Sequence, residues 1–333
     1  MTSRRIGANY PFRLFALALF ALGLAAAGLF YGPVALDPAQ VIGALLHPGR
    51  TDLAATIVWE IRLPRVLIGI CVGAGLGVAG AMLQMLFRNA LVDPYISGVS
   101  AGAALAAVAA LSLSASFAMI PAYAFAGGIA CAIVVAFVGA SGGADGNLRL
   151  VLAGVAISAL CAAIVTLVLL AAGEAGGRSV IGWLAGGIGG RGWPELSWVA
   201  IYLAVGFAAS VFALRDLNAL RLGTVAAAGF GLNVDAARLR VLAIAALITA
   251  ACVAVSGVVG FVGLMVPHTM RRLVGGDARR LLPACAAGGA CIVLLADALA
   301  RTIAAPAEVP LGVVLAFAGV PFFLIVARRP VEI

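Results

Sequence analysis

Few residues in this chain have the type and spacing to do chemistry. Asp297 and Arg301 stand four apart in an otherwise apolar run, so on a helix they share a face and can pair. Ionisable residues inside such runs are functional candidates by default. His268 follows Pro267 in GFVGLMVPHTMRR, with no second His, Cys or acidic residue beside it. A lone imidazole makes a poor metal site. Its expected role is to satisfy backbone groups that the proline frees. The six cysteines (Cys71, Cys131, Cys161, Cys252, Cys285 and Cys291) all lie in apolar runs without a CxxC pair, which suits buried packing rather than disulfides or metal ligation. An HExxH motif is absent and the acidic residues are mostly singletons in loops, so no catalytic residues and no metal ligands are expected. The sequence also contains no lysine, which excludes a Walker A phosphate loop. Any ATP must be bound by another chain.

The elements that hold these residues are membrane helices. The 333 residues are 64% hydrophobic and 10% charged, with mean hydropathy +1.18, too apolar for a water-soluble fold of this size. The apolar runs are continuous, not alternating as in a transmembrane barrel. Glycine and alanine are abundant, as close helix packing in lipid requires. The expected fold is an all-α integral membrane bundle, one transmembrane domain over 1–333. Ten segments are predicted, near 13–31, 64–86, 95–113, 117–139, 149–171, 193–213, 238–256, 261–270, 281–303 and 310–327. The first is read as an uncleaved helix rather than a signal peptide. The eighth, 261–270, is too short to span and is expected to be a half-helix packed inside the protein.

Charge bias orients this bundle. With the N-terminus in the cytoplasm, 15 arginines fall inside (among them Arg88, Arg215, Arg221, Arg271 and Arg272) and six outside: Arg50, Arg62, Arg65, Arg178, Arg191 and Arg301. Both termini are then cytoplasmic. The net charge of +8 is scattered over loops, which argues against nucleic acid as a partner.

One cytoplasmic stretch stands out, Leu214–Asp235, reading LRDLNALRLGTVAAAGFGLNVD. It is too polar for a bilayer and too patterned for a linker. Two short helices are predicted, Leu217–Leu222 and Thr224–Phe230, separated by Gly223 and stopped by Gly231. A structured cytoplasmic surface on a buried chain reads as a docking site. In the membrane, Gly69, Gly73 and Gly77 recur every four residues, so that segment presents a flat stripe, either for tight packing or for a helix that slides or lines a passage. It leads to Gln84, the polar turn Arg88–Pro94 and the helix start Gly98-Val99-Ser100-Ala101-Gly102. Outside, Arg62, Arg65 and Arg301 would form an arginine cluster suited to an acidic partner. Arg178 and Arg191 flank the external stretch 172–192, where an anionic ligand, a partner or solvent can meet them.

Four stretches together resemble the permease subunits of FecCD-type ABC importers, which take up iron-siderophore complexes, haem and cobalamin. They are Arg62-Leu63-Pro64-Arg65 with its glycine-rich helix to Gln84; Arg88–Pro94 with Gly98–Gly102; Gly260–Leu264 through Pro267-His268 to Arg271; and Asp297 through Arg301, Glu308–Gly312 and Gly319–Phe322. The resemblance implies ten helices, a homodimer around a central pathway, two cytoplasmic ATP-binding subunits holding ATP and Mg, and a periplasmic substrate-binding protein, all at the bacterial inner membrane. It implies that Leu217, Leu220, Arg221, Gly223, Thr224, Ala227 and Gly231 couple to the ATPase, and that Arg62, Arg65 and Arg301 dock the binding protein. Gly69, Gly73, Gly77, Gln84, Gly98, Ser100, Gly102, Pro267, His268 and Asp297 are left to pathway or packing. Three positions depart from the family pattern: Ala90 for a proline, Thr224 for an acidic residue and Ala278 for a histidine. Ala90 and Ala278 are expected in solvent-facing turns, while Thr224 removes a charge at the expected ATPase contact. The expected function is ATP-driven import of a ferric siderophore or haem, with cobalamin as the alternative. A secondary transporter would need an ion relay, for which Asp297 beside Arg301 is a thin candidate.

Overall fold

A computed structural model describes residues 9–49, 51–139, 146–171, 173–305 and 307–327. Among them all regular structure is helical. In chain order the elements are α1 (Tyr10–Phe30), α2 (Pro38–Leu46), α3 (Leu53–Thr56), a π-helical stretch (Ile57–Arg62), α4 (Leu63–Phe87), α5 (Val99–Ser112), α6 (Ile120–Gly139), α7 (Gly146–Ala171) and α8 (Gly173–Leu184). There follow α9 (Trp193–Phe212), α10 (Leu214–Arg221), α11 (Thr224–Gly229), α12 (Val234–Ser256), α13 (Val262–Val274), α14 (Ala278–Thr302) and α15 (Leu311–Ala327). Each of the ten predicted segments coincides with one of these helices. Among the described residues, seven helical stretches are long and apolar enough to cross a membrane; α5, α13 and α15 are shorter. The connecting stretches 32–63 and 172–192 carry helices that the hydropathy profile does not reveal, namely α2, α3, the π stretch and α8.

The bundle is built around α4. The continuous helix Leu53–Phe87 is 83% buried over its most apolar window, against 11% for Tyr10–Phe30. Glycine makes this possible. A Cβ on Gly73 would lie 2.3 Å from the Gly289 carbonyl oxygen on α14, and one on Gly77 would lie 2.4 Å from the Cys285 oxygen. On Gly80 it would lie 2.1 Å from the Gly263 oxygen at the start of α13, and on Gly69 it would press on Ile188 and Leu294. The stripe is therefore a packing face, and backbone meets backbone along it. Gly102 does the same for α5, where a Cβ would sit 2.5 Å from the Gly127 oxygen and from Cys131 of α6. Gly73→Ala should cost about 1–3 kcal/mol, the usual penalty of overpacking. Gly182→Ala, with nothing within 4 Å, should be near neutral. Equal unfolding midpoints for the two variants in detergent would contradict the backbone contact.

The predicted half-helix is present as the 13-residue α13, four residues longer at its C-terminal end than the reading of 261–270. The chain breaks before it at Gly257 (φ +65°) and Phe261 (φ +67°). Pro267 is buried inside α13 and has no N–H for the Gly263 carbonyl. His268 does not compensate, contrary to expectation. Its ring stands edge-on to Phe322 at 5.7 Å and its Nε2 has no hydrogen-bond partner. The amide of Gln84 does so instead, donating to Gly263 O at 3.2 Å and also reaching Leu264 O and Val92 O. Gln84 thus ties α4, the Arg88–Pro94 turn and the helix break together. Gly98 takes φ +78° to open α5, and Ser100 is buried in the first turn of that helix.

Candidate functional site

Two groups of residues stand at opposite ends of α4. At its N-terminal end, the π stretch and the first turn of α4 bring Arg62 and Arg65 against the C-terminal end of α14. Asp297 lies between two arginines: Arg65 Nη2 is 2.9 Å from its Oδ1 and Arg301 Nη2 is 3.1 Å from its Oδ2. Glu308 grips Arg65 in a fork, with Nη1 and Nη2 donating at 2.8 and 2.9 Å. Arg301 also donates to the carbonyls of Gly28 and Tyr31, and Arg62 donates to those of Leu29, Phe30 and Val34. Gly28 leaves room for Val66 of α4, since a Cβ there would lie 2.9 Å from its Cγ2.

This arrangement corrects the sequence reading. The three arginines do come together, but all are buried, with 3%, 8% and 5% exposure for Arg62, Arg65 and Arg301. Their charges are spent on two carboxylates and on carbonyls at the end of α1, so they form no open basic surface. They lock α1, α4, α14 and the segment before α15 together at one end of the bundle. Only Glu308 reaches solvent, and hydrogen bonds from Arg65 hold its carboxyl below the usual range, against the opposing effect of burial. Beside the network, a cleft of about 410 Å³ is lined by Arg65, Asp297, Glu308 and the Gly186–Gly190 turn. Arg191 is half-buried and its Nε has no partner; the side chain of Arg178 lies outside the described residues.

At the other end of α4, α10 and α11 form the expected pair of short helices. Gly223 joins them at φ +106°, and Gly231 closes the second at φ +77°. The buried residues are anchors. Leu217, Leu220 and Ala227 are 0%, 2% and 0% exposed and face the bundle, so they do not form a contact face for a partner. Asn218 fixes α10 to the start of α14: its Nδ2 donates to Asp277 Oδ1 and its Oδ1 accepts from Ala278 N, both at 3.0 Å. Burial raises the Asp277 carboxyl, but the Arg279 N–H, the Asn218 amide and nearby Arg279 and Arg280 outweigh it and hold it below the usual range. Asp216 pairs with Arg240 at 2.9 Å. Arg221 packs over Gly276, after α13, and Arg88 lies over Gly223. The exposed large apolar side chains of the pair are Leu222, Val225 and Phe230, at 55%, 86% and 68% exposure. These three were not singled out from sequence, although apolar residues in a polar loop are the available signal. Thr224 opens α11 half-buried and makes no capping bond. Ala90 and Ala278 are buried, not solvent-facing as expected, and Ala278 fills a site closed by Asn218.

Between the two ends, an apolar cavity of about 440 Å³ is bounded by Asp93, Tyr95, Phe261 and Gly312. It lies where the Arg88–Pro94 turn meets the break before α13. Among the described residues no group of three His, Cys, Asp or Glu side chains comes together to hold a metal, and the six thiols are free.

Comparison with known proteins accords with this architecture. Residues 17–329 match the model of the FecCD transport family. The hemin transport system permease HmuU of Yersinia pestis is 40% identical over 85% of this chain and 86% of its own length. The cobalamin import permease BtuC of Halobacterium salinarum is 38% identical over 87% and 79%. The Fe(3+) dicitrate permease FecC of Escherichia coli is 36% identical over 90% and 91%. A solved inward-facing structure of a metal-chelate type ABC transporter superposes with TM-score 0.84 at 31% identity, covering 95% of this chain and 99% of that one. Together with the helical bundle and its seven apolar spans, this makes the chain a multi-pass membrane protein that belongs to the FecCD transport family of ABC-transporter permeases.

Proposed function

We propose that this chain forms half of the translocation pathway of an ATP-driven importer for an iron complex, a ferric siderophore or haem, in the inner membrane. Both termini lie in the cytoplasm, and a second copy completes the pathway. The observation that carries this reading is the exposure of Leu222, Val225 and Phe230 on a helix pair that is itself pinned to α14 and α12. Apolar side chains projected into water on a rigid mount mark a protein contact. With no phosphate loop in this chain, two separate ATP-binding subunits supply the nucleotide chemistry. Their movement passes through Arg221 and Gly223 to the turn after α13, at Gly276, and to Arg88 at the start of the Arg88–Pro94 turn. A periplasmic binding protein delivers cargo to the opposite end, on the surface that the buried arginine network braces. Alternating access follows if nucleotide and binding protein stabilise different packings of the bundle.

Cobalamin is the second reading, supported by the similarity to the cobalamin permease noted above. Co-reconstitution of the chain with its ATPase and binding protein in proteoliposomes tests the mechanism. Uptake should require ATP inside the ATPase compartment and persist without an ion gradient. Gradient-driven uptake by the chain alone would overturn the proposal in favour of a secondary transporter. Native mass spectrometry of the cognate binding protein against haem, ferric siderophores and cobalamin then separates the two cargo readings.

A further inference from the structure

A groove of about 190 Å³ opens between α4, α9 and α14 near the end of the bundle that carries α10. Its walls are apolar, with Phe207 and Val211 on α9, Leu214 at the start of α10, and Leu282 and Pro283 on α14. Val211 is 61% exposed, so the groove lies on the outer flank of α9 rather than inside the bundle. Arg279 lines the same groove and is exposed. It makes no ion pair within the described residues, and its charge is balanced only loosely by the nearby Asp277. Pro283 stands four residues after Arg279 on α14 and has no N–H to offer the Arg279 carbonyl. One position on the rim therefore presents both a cationic donor and a carbonyl acceptor.

We infer that this groove is a binding site for one anionic phospholipid of the adjoining leaflet. An acyl chain occupies the apolar wall, the phosphate pairs with Arg279, and the free carbonyl accepts from a headgroup hydroxyl. Apolar walls with an unpaired arginine at the rim are the chemistry of a phospholipid, whereas a protein segment would require backbone partners that these side chains do not offer. Basic pockets between membrane helices recognise anionic headgroups in this way. The site sits at the elbow where α9 passes into α10. A bound lipid would brace the mount of the helix pair on which the proposed coupling rests, although lipid binding itself does not depend on that reading.

The test uses the purified full-length chain in detergent, with native mass spectrometry after addition of phosphatidylglycerol or phosphatidylcholine. The wild-type chain should retain phosphatidylglycerol several-fold better than phosphatidylcholine. Arg279→Gln, an exposed substitution that leaves the core intact, should abolish that preference. Ala286→Phe, which narrows the groove without changing charge, should reduce retention of both lipids. Arg272→Gln removes another exposed arginine away from the groove and should change nothing. Equal retention of the two lipids by wild type, or equal losses in the Arg279 and Arg272 variants, would reduce the effect to general surface charge and overturn the site.

Discussion

Asp297→Ala should destabilise the folded chain by about 3–5 kcal/mol, because it strands buried positive charge rather than removing a pair cleanly. Asp297 is 1% exposed and is shared by Arg65 and Arg301. After the substitution, Arg65 keeps its fork on Glu308. Arg301 keeps only carbonyl acceptors, which do not neutralise it. Glu308→Gln should shift stability by no more than about 1 kcal/mol, since its side chain is partly in water and solvent screens the pair. Replacing Asp297 and Arg301 together by apolar residues should recover part of the loss. Denaturant unfolding of the full chain in detergent measures all three. A midpoint for Asp297→Ala equal to that of wild type would show that the network contributes nothing. The same geometry makes charge reversal at these arginines a test of folding before it is a test of docking.

The second large effect is expected at the joint between α10 and α11. Gly223 adopts φ +106° and ψ 158°, a region that is essentially glycine's alone. A valine there introduces strain of about 1–3 kcal/mol, and its Cβ would also press on Arg88 at 3.3 Å. The strain is relieved by letting α11 swing away from its mount. In the reconstituted importer, ATP hydrolysis should continue while cargo moved per ATP falls about tenfold, the ratio that about 1.4 kcal/mol represents. Gly231 closes α11 at φ +77° with open space around it, so Gly231→Asn should be tolerated, asparagine being the usual substitute at a left-handed helix stop. An unaltered transport-to-hydrolysis ratio in Gly223→Val would remove α10–α11 from the transmission route.

Hydropathy and glycine spacing made the bundle legible, because a long apolar run in lipid has one solution, the helix. Even the break at Gly257–Phe261 could be inferred from the shortness of the following run. Side-chain direction was harder to read. Arg62, Arg65 and Arg301 read as an outward cluster because sequence places them at an interface but cannot show that α1 ends beside them with free carbonyls. Pro267 signalled a freed carbonyl, yet the group that satisfies it, Gln84, is distant in sequence and lies on another helix. Asn218 gave no local signal either, because its partners Asp277 and Ala278 are about sixty residues away. The helix α2 was legible in principle: Asp37 and Gln40 form a capping box, an N-terminus signature in a stretch that hydropathy alone passes over.

The contact between Gly73 and Gly289 has a consequence for motion. Two backbones this close leave no space for one helix to rotate or slide past the other without collision. We expect α4 and α14 to travel as a single body, with opening carried by the helices around them. That pair is accordingly the fixed frame from which distances in any other state of this protein should be measured.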